Sequence, residues 1–386
     1  MSKIYAVVNA KVVHERGIIF DGRILFEDDT ILKYGKSSEI EIPADAEIID
    51  AEGAYVGPGF VDIHVHGANG HQMSTDPIPA AEYLLMHGET TVFATPSGAI
   101  RYEPEVLVEY IKTMRAAMRK QKNIKGIFME GPYFHPDYGA NNKLNIWRNK
   151  GIKEEDYKLL VDAGGEDIKR WMIAPELEGI LPFIMYAKKV NPSVNIAIGH
   201  SEATPKQIRD LGRYKPTVLI HAMNATGRVG EPNNGLRMVG PDEYAFQEPD
   251  MYCELISDSL AIHVPPDLQR LLIHMKGIDK VCLITDGTAY YNDPPEEYKG
   301  VTDINFDQFG GIAGSKLTMD RACMNIMMHT RVGIAEAFLM AATNPAKAVG
   351  LYDELGAIDV GKRADLVFVD DRFNVKKVIF NGEIVK

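Results

Sequence analysis

The chain has 386 residues, 45% hydrophobic and 25% charged, a composition typical of a globular protein with a large core. Its formal net charge of -12 argues against nucleic-acid binding, which needs a basic surface to neutralise phosphates. No apolar run approaches the ~18 residues that cross a bilayer, and the Met-Ser-Lys start lacks the apolar segment of a signal peptide. We therefore expect a cytoplasmic protein without a membrane partner.

Both ends of the chain contain short β-rich runs. The amino-terminal runs are residues 4–8, 23–26 and 47–49, and the carboxyl-terminal runs are residues 365–369, 375–380 and 383–385. Two dipeptides in these regions, Asp21-Gly22 and Asn381-Gly382, favour hairpin turns. We predict that residues 1–56 plus 357–386 pair into one small β-sandwich domain formed by both chain termini.

Between these ends, short apolar runs alternate with longer segments of helical period, which is typical of βα units. The strand candidates are residues 60–66, 91–95, 126–130, 171–174, 195–200, 218–221, 252–257 and 281–286. Helical segments such as residues 103–120, 177–190, 204–211, 267–275 and 335–342 lie between or after them. Eight strands are enough to close a barrel, so we predict an α/β fold in which residues 57–356 form a (β/α)8 TIM-like barrel. Since no low-complexity linker is present, we expect the small domain to pack firmly on it.

The segment from Gly57 to Gly67 carries the strongest single signal for chemistry. His64 and His66 end an apolar strand and lie two positions apart, so their side chains share one face. Both imidazoles can therefore bind one ion, while Gly67 lets the chain turn beside them. The alternative is a strand that merely carries two polar residues at its end.

Four other predicted strands end in residues that can bind a metal or transfer a proton. These residues are Glu130, His200, His221 and Asp286. A single polar residue at a strand end is usually only solvated. Five strands that end in this way indicate a shared site, because (β/α)8 enzymes keep their chemistry at the carboxyl ends of the strands.

This set of side chains suits metal-assisted hydrolysis of an amide. The cysteines Cys253, Cys282 and Cys323 lie far apart in apolar stretches, so we expect imidazole and carboxylate ligands rather than thiolates. Such ligands favour a divalent metal, zinc first, with iron, manganese or a similar ion as alternatives, and Glu130 could bridge two ions. The metal acidifies water and polarises the carbonyl, and Asp286 can carry the proton from the water to the leaving nitrogen.

Longer motifs surround these residues. Residues 56–62, 283–286, 344–346 and 361–366 read Val-Gly-Pro-Gly-Phe-Val-Asp, Leu-Ile-Thr-Asp, Asn-Pro-Ala and Gly-Lys-Arg-Ala-Asp-Leu. Together with His64 and His66 they resemble the amidohydrolase superfamily over nearly the whole chain. The segments 130–132, 199–204, 221–225 and 314–319 narrow the resemblance to the N-acetylglucosamine-6-phosphate deacetylases.

The resemblance implies a role for each strand-end ligand. Glu130, His200 and His221 match the ligands of the metal that such deacetylases share. His64 and His66 match the ligands of a second metal, which some members lack. The resemblance therefore implies one or two divalent ions per subunit.

The resemblance also implies how a substrate is held and attacked. Asp286 matches the catalytic general acid and base. The backbone of Asn224 and Ala225 matches an element that contacts the sugar phosphate, and His263 resembles a phosphate-contacting histidine. The resemblance thus implies a small amino-sugar substrate bound in front of the metal site.

One residue in the predicted substrate site departs from the family pattern, and the phosphate-binding residue has two candidates. Asn141 stands where the family usually places a histidine that helps to polarise the acetyl carbonyl, and an amide donates a hydrogen bond without the charge. Relatives bind the phosphate with an arginine from the neighbouring subunit of a homodimer, and Arg228 or Arg237 is the counterpart here. A homodimer is expected on the same grounds.

The resemblance favours a metal-dependent deacetylase that converts N-acetylglucosamine 6-phosphate to glucosamine 6-phosphate and acetate. The alternatives are another N-acyl amino sugar, such as N-acetylgalactosamine 6-phosphate, and another N-acyl or deaminase substrate. A non-enzymatic alternative is a sugar-binding or regulatory protein on a relict barrel. Five convergent metal-binding side chains argue against it, because a relict site has no physical need for them.

Overall fold

The computed structural model describes residues 3–227, 238–289 and 292–386. The strands are β1 (Ile4–His14), β2 (Gly17–Glu27), β3 (Thr30–Lys36), β4 (Glu47–Asp50), β5 (Tyr55–Pro58), β6 (Val61–Val65), β7 (Gly67–Ala68), β8 (His71–Gln72), β9 (Thr91–Ala94), β10 (Ile124–Met129), β11 (Ile168–Ile173), β12 (Asn195–Ile198), β13 (Val218–Leu219), β14 (Tyr252–Ile256), β15 (Val281–Ile284), β16 (Ile304–Phe306), β17 (Ile312–Ser315), β18 (Leu366–Val369), β19 (Val375–Phe380) and β20 (Glu383–Ile384).

The helices surround the strands of the middle of the chain. They are α1 (Pro77–Met86), α2 (Pro104–Met118), α3 (Glu154–Gly164), α4 (Ile180–Val190), α5 (Pro205–Asp210), α6 (Pro241–Gln247), α7 (Pro266–Lys276), α8 (Met319–Thr330), α9 (Ile334–Phe338) and α10 (Asn344–Ala348). Within the described ranges, none of the helices combines the length and the hydropathy that crossing a bilayer requires.

The central sheet is a barrel of parallel strands in the order β6-β9-β10-β11-β12-β13-β14-β15. Its two end strands meet, because the Asp286 N–H donates to the His64 carbonyl over 3.0 Å and the His66 N–H donates to the Gly287 carbonyl over 2.7 Å. The strands are short and almost wholly buried, as expected for parallel strands covered on both faces. Each of the eight predicted runs supplies one strand of this sheet, which confirms the predicted barrel.

The two chain ends form a second sheet in the order β20-β19-β18-β5-β1-β2-β3, with β4 also paired to β1. Strand β18 pairs antiparallel with β5, so the last segment of the chain is joined directly to the first. This pairing confirms the prediction that both termini build one β-structure. The division of the chain at residues 56 and 357 stays a prediction.

The two predicted hairpin turns have different outcomes. Asn381 and Gly382 both have positive φ, 51° and 75°, and connect β19 to β20, as expected for an Asn-Gly turn. The prediction at Asp21-Gly22 is wrong, since both residues lie inside β2. Asp21 has a φ of 53°, and the pairing register shifts on both sides of the pair Ala10 and Gly22, so the dipeptide marks a β-bulge rather than a turn.

The terminal sheet packs directly on the barrel. Val13 and Val367 of this sheet belong to the same buried cluster as Phe60 and Phe338 of the barrel region. A Cβ atom at Gly57 would lie 2.4 Å from the Phe338 ring, so only glycine allows this close approach. The contact agrees with the expectation of a firmly packed small domain.

The predicted helix at residues 335–342 is interrupted. Helix α9 is followed by a π-helical turn, Leu339–Thr343, and then by α10. Pro345 lies in the first turn of α10 and has no N–H to donate to the preceding turn. Because the N–H of residue 345 is missing, one hydrogen bond of the helix is lost there, which is a physical reason for the π-helical turn just before it.

A carboxyl group is buried in the wall of the barrel just before β9. Glu89 is fully buried, and one of its oxygens accepts the Met319 N–H over 2.9 Å, while Oε2 has no hydrogen-bond partner among the described residues. Burial raises the pKa of Glu89 well above its usual value, and the charge of Asp62 adds to the effect. As the pH rises above the ordinary pKa of a glutamic acid, the folded chain therefore keeps a proton at Glu89 that the unfolded chain loses.

We expect the folded chain to lose stability as the pH rises above the ordinary pKa of a glutamic acid, by up to about 1.4 kcal/mol per pH unit for this proton. The sign follows because the folded state binds more protons than the unfolded state in this window. Glu89→Gln mimics the neutral acid, so its urea midpoint should depend less on pH. Urea unfolding of chelator-treated protein at several pH values measures this, with the exposed Glu105→Gln as control. Equal pH slopes for wild type and Glu89→Gln would contradict the assignment.

Candidate metal centre and active site

The six residues predicted to carry the chemistry lie together at the carboxyl ends of the barrel strands. They form two clusters, and in each cluster the potential ligand atoms lie within 4.8 Å of one another. The clusters are His64, His66 and Asp286, and Glu130, His200 and His221.

Glu130 connects the two clusters. Its Oε1 atom lies 3.0 Å from His200 Nε2 and 3.3 Å from His221 Nε2. Its Oε2 atom lies 3.0 Å from His66 Nε2, which in turn lies 3.4 Å from Asp286 Oδ1. The carboxylate is thus positioned to bind an ion in each cluster.

Two of the histidine rings are held by backbone carbonyls so that Nε2 points into the site. His66 Nδ1 lies 3.1 Å from the Pro96 carbonyl, and His221 Nδ1 lies 2.9 Å from the Asn224 carbonyl. A carbonyl oxygen can only accept, so Nδ1 must carry a hydrogen, and in the neutral ring the lone pair is then on Nε2. This arrangement is typical of metal-ligating histidines.

His64 is oriented by a charged partner instead. Its Nδ1–H donates to Glu254 Oε2 over 3.1 Å, and Glu254 is paired in turn with Arg170. All three side chains are fully buried. Sequence reasoning missed both partners, because Arg170 follows Lys169 just before the predicted strand at residues 171–174, and Glu254 is a single charged residue inside an otherwise uncharged strand.

Three of the site residues have a left-handed backbone. The φ angles of His200, His221 and Asp286 are 44°, 27° and 46°. Such angles are uncommon outside glycine and cost on the order of 1–3 kcal/mol each. They occur directly after the strand ends, where they turn the side chains toward one another, so the surrounding structure stabilises a strained site.

Burial and charge oppose each other in this cluster. Burial alone lowers the pKa of His64, but the carboxylates of Glu130 and Asp286 raise it well above its usual value. Burial raises the pKa of Glu130, but His64 and the hydrogen bonds from His200 and His221 lower it well below its usual value. The pKa of Asp286 is lowered as well. Glu130 and Asp286 are therefore both anionic, and a cation is needed to balance their charges. Protons or metal ions can fill that role, and the two compete.

The donor set fits a divalent metal. It consists of imidazole nitrogens and carboxylate oxygens, which suit zinc and similar ions. His64 Nε2 is buried and makes no hydrogen bond to any described residue, although it lies 3.5 Å from Glu130 Oε1. A bound ion would satisfy this nitrogen, and it would supply a Lewis acid that acidifies water and polarises a carbonyl.

The site opens into a cavity of 320 Å³. Four of the five residues predicted to contact substrate line it together with the metal-site residues. These four are Asn141, Asn224, Ala225 and His263. The fifth, Arg228, lies outside the described residues, as does Arg237. No lysine or arginine occurs among the described residues that line the cavity.

Asn141 is fixed by a segment far away in the sequence. Its backbone N–H donates to Asp307 Oδ2 over 2.7 Å, and Asp307 Oδ1 accepts the N–H groups of Phe309 and Gly311. Asp307 lies in the turn of the β16–β17 hairpin, and residues 312–314 of that hairpin line the cavity. Sequence reasoning missed this hairpin as part of the site.

His263, which also lines the cavity, is held by a carboxylate. Its backbone N–H and Nδ1 both contact Asp258 Oδ2, at 2.9 and 3.1 Å. Its Nε2 atom is buried without a hydrogen-bond partner in the described part of the chain. The carbonyl of His263 accepts from the Asn224 side chain over 3.1 Å, which connects this residue to the loop after β13.

Comparisons with known proteins agree with this geometry. An N-acetylgalactosamine-6-phosphate deacetylase from Escherichia coli O157:H7 is 27% identical over 391 residues, and the alignment covers 97% of both chains. An N-acetylglucosamine-6-phosphate deacetylase from Haemophilus influenzae is 26% identical and covered to 98% on both sides.

The crystal structure of N-acetyl-D-glucosamine-6-phosphate deacetylase from Mycobacterium smegmatis has a TM-score of 0.81 with this chain. The identity is 28%, over 99% of this chain and 100% of the other. A mutant of that enzyme in complex with N-acetyl-D-glucosamine 6-phosphate superposes equally well. The sequence model of the amidohydrolase family matches residues 55–385. The chain therefore belongs to the amidohydrolase family.

Proposed function

We propose that this chain is a metal-dependent deacetylase that hydrolyses the N-acetyl amide of an amino-sugar phosphate. The observation that carries the proposal is the position of Glu130, which belongs to one cluster of metal-binding side chains and contacts His66 of the other cluster, where Asp286 lies. N-acetylglucosamine 6-phosphate is the proposed substrate, because relatives that align over nearly the full chain are deacetylases of this compound.

We propose two metal positions that share Glu130. His200 and His221 complete one of them, and His64 and His66 complete the other. Zinc is the first ion to test, with iron and manganese as alternatives, since all three accept nitrogen and carboxylate ligands. The metal content of the purified chain decides whether one or both positions are filled.

Asp286 is the proposed proton carrier. Burial raises its pKa, but His64 and His66 lower it below its usual value, so the carboxylate is ionised and can accept a proton. The oxygen of water bonds to the acetyl carbon, and Asp286 takes the proton that this water releases. The carbon–nitrogen bond then breaks, and Asp286 returns the proton to the leaving nitrogen. The products are acetate and a free amine.

The other cavity residues are proposed to hold the substrate. Asn141 donates its side-chain amide to the acetyl carbonyl, and His263 and the backbone of Asn224 and Ala225 contact the phosphate. Because the described lining lacks lysine and arginine, a cation for the phosphate must come from elsewhere. Arg228 of this subunit or of a partner in the predicted homodimer is the proposed source, and analytical ultracentrifugation tests the dimer.

A direct test measures acetate release from N-acetylglucosamine 6-phosphate by metal-loaded protein. The unphosphorylated sugar and N-acetylgalactosamine 6-phosphate are measured beside it. The galactosamine isomer is the second candidate, because the Escherichia coli O157:H7 relative is a deacetylase of that compound. A preference for one isomer assigns the substrate, and no turnover of any of the three would remove the proposed function.

Asn141→Ala is expected to lower kcat by about 10²-fold, since loss of one donor to a developing oxyanion has an effect of this size. Asn141→His should keep more activity than Asn141→Ala, because imidazole also donates a hydrogen bond. Gln247→Ala, which removes an exposed amide on α6, is the control. If Asn141→Ala turns over within threefold of wild type, the carbonyl is polarised by other groups.

A further inference from the structure

A charged pair lies in the barrel interior directly below the metal-binding residues. Arg170 on β11 and Glu254 on β14 form an ion pair, and both side chains have a relative exposure of 0%. Glu254 also accepts the Nδ1–H of His64 on β6 over 3.1 Å. The pair therefore joins three strands of the barrel and ends at one potential metal ligand.

Stability alone does not account for this pair. Removing two charges from water is costly, and apolar residues of similar volume often serve a core equally well or better. The cost is increased here, because Nε and Nη2 of Arg170 have no hydrogen-bond partner among the described residues. The guanidinium instead stacks on the Phe128 ring at 4.4 Å.

Besides the hydrogen bond to Glu254, packing against a neighbouring ring limits the rotation of the His64 side chain. Phe128 lies against the His64 ring in a perpendicular contact at 4.8 Å and against Arg170 on another side. Glu130 follows two residues after Phe128, so its side chain points to the same interior one layer higher. The layer of Phe128, Arg170 and Glu254 thus supports the layer of metal-binding side chains.

We propose that Glu254, held by Arg170, is a positioning residue that fixes His64 with Nε2 toward the cluster of His64, His66 and Asp286. It controls the affinity of the ion bound there and leaves the ion at Glu130, His200 and His221 largely unaffected. Among the described residues no comparable carboxylate supports Nδ1 of the other site histidines, since His66 and His221 donate to backbone carbonyls and His200 Nδ1 has no hydrogen-bond partner. The inference rests on the two metal positions of the proposed function.

Two double variants separate the hydrogen bond from the charges. Arg170→Met with Glu254→Leu removes both charges and the acceptor, so it leaves no unpaired ion in the core. Arg170→Met with Glu254→Gln removes the charges but keeps an acceptor for His64. Arg363→Met with Asp365→Leu is the control, because it removes another largely buried ion pair, in the segment that precedes and begins β18.

Zinc titration by calorimetry and metal content by mass spectrometry are the main measurements. We expect the leucine variant to bind one ion with wild-type affinity and the other about 10- to 100-fold more weakly, as found when a second-layer partner of a ligating histidine is removed. The glutamine variant should bind this weakened ion with an affinity within about threefold of wild type. The control should bind both ions like wild type.

Nitrogen NMR of histidine in metal-free protein gives a readout independent of metal and activity. Wild type and the glutamine variant should show a hydrogen-bonded Nδ1–H on His64 that exchanges slowly with water, and in the leucine variant this hydrogen should exchange faster. Wild-type affinity for both ions in the leucine variant, equal loss of both, or unchanged exchange of the His64 Nδ1–H would each overturn the proposal. Failure of the proposed function appears separately, as wild-type protein that binds zinc and shows the slowly exchanging Nδ1–H but releases no acetate.

Discussion

Asp286→Asn is expected to lower kcat for acetate release by about 10²–10⁴-fold, the range that a positioned acid–base group contributes. The amide has nearly the size and shape of the carboxylate but cannot accept the proton of the attacking water. KM should change little, because Asp286 is not one of the proposed sugar contacts and lies 3.4 Å from His66 at the metal site. Acetate release over a range of substrate concentrations measures both constants.

Metal content must be determined for the same sample, since Asp286 also belongs to one of the metal-binding clusters. A variant that keeps its metal and loses kcat supports proton transfer as the main role. Asp371→Asn is the matched control, as its carboxylate is 81% exposed and distant from the site. If Asp286→Asn keeps at least a tenth of wild-type kcat with full metal content, another group carries the proton.

The strand-end residues could be predicted from the sequence because parallel strands impose a simple geometry. Side chains at His64 and His66 share a face since they lie two apart, and the ends of neighbouring parallel strands meet at one edge of the sheet. Glu130, His200 and His221 follow the same rule on their own strands. The rule needs only short apolar runs and their order, both of which the sequence provides.

The supporting residues could not be predicted in the same way. Glu254 lies inside β14 and Arg170 follows Lys169 in β11, and their pairing joins positions 84 residues apart. Asp307 contacts Asn141 across 166 residues of chain. Nothing local in the sequence reports such contacts, because they depend on which strands are opposite each other in the closed barrel.

The bulge at Asp21-Gly22 shows a related limit in the terminal sheet. The dipeptide provides a residue that tolerates positive φ, and both a hairpin turn and a bulge require this. The choice between them is made by pairing with β1, where register shifts flank the pair Ala10 and Gly22. The sequence therefore predicts the positive φ at this dipeptide correctly, whereas pairing between strands decides whether it forms a turn or a bulge.

Glu130→Gln is expected to weaken binding at both metal positions and to reduce kcat/KM on the order of 10³-fold. One carboxylate contacts His200 and His221 through Oε1 and His66 through Oε2, so its charge serves both clusters. The amide has one oxygen left and no negative charge. Loss of a Lewis acid costs several kcal/mol of transition-state stabilisation, and each 1.36 kcal/mol is a factor of ten.

A comparison with His66→Asn tests whether Glu130 serves both metal positions rather than one. His66 belongs to one cluster, so its replacement should remove one ion and leave the other, whereas Glu130→Gln should affect both. Metal per chain after dialysis measures the difference, with Glu248→Gln, a carboxylate paired with Lys215 away from the site, as control. If Glu130→Gln and His66→Asn each lose only one ion, Glu130 binds a single metal. The two clusters would then be separate sites that share a barrel edge but no ligand.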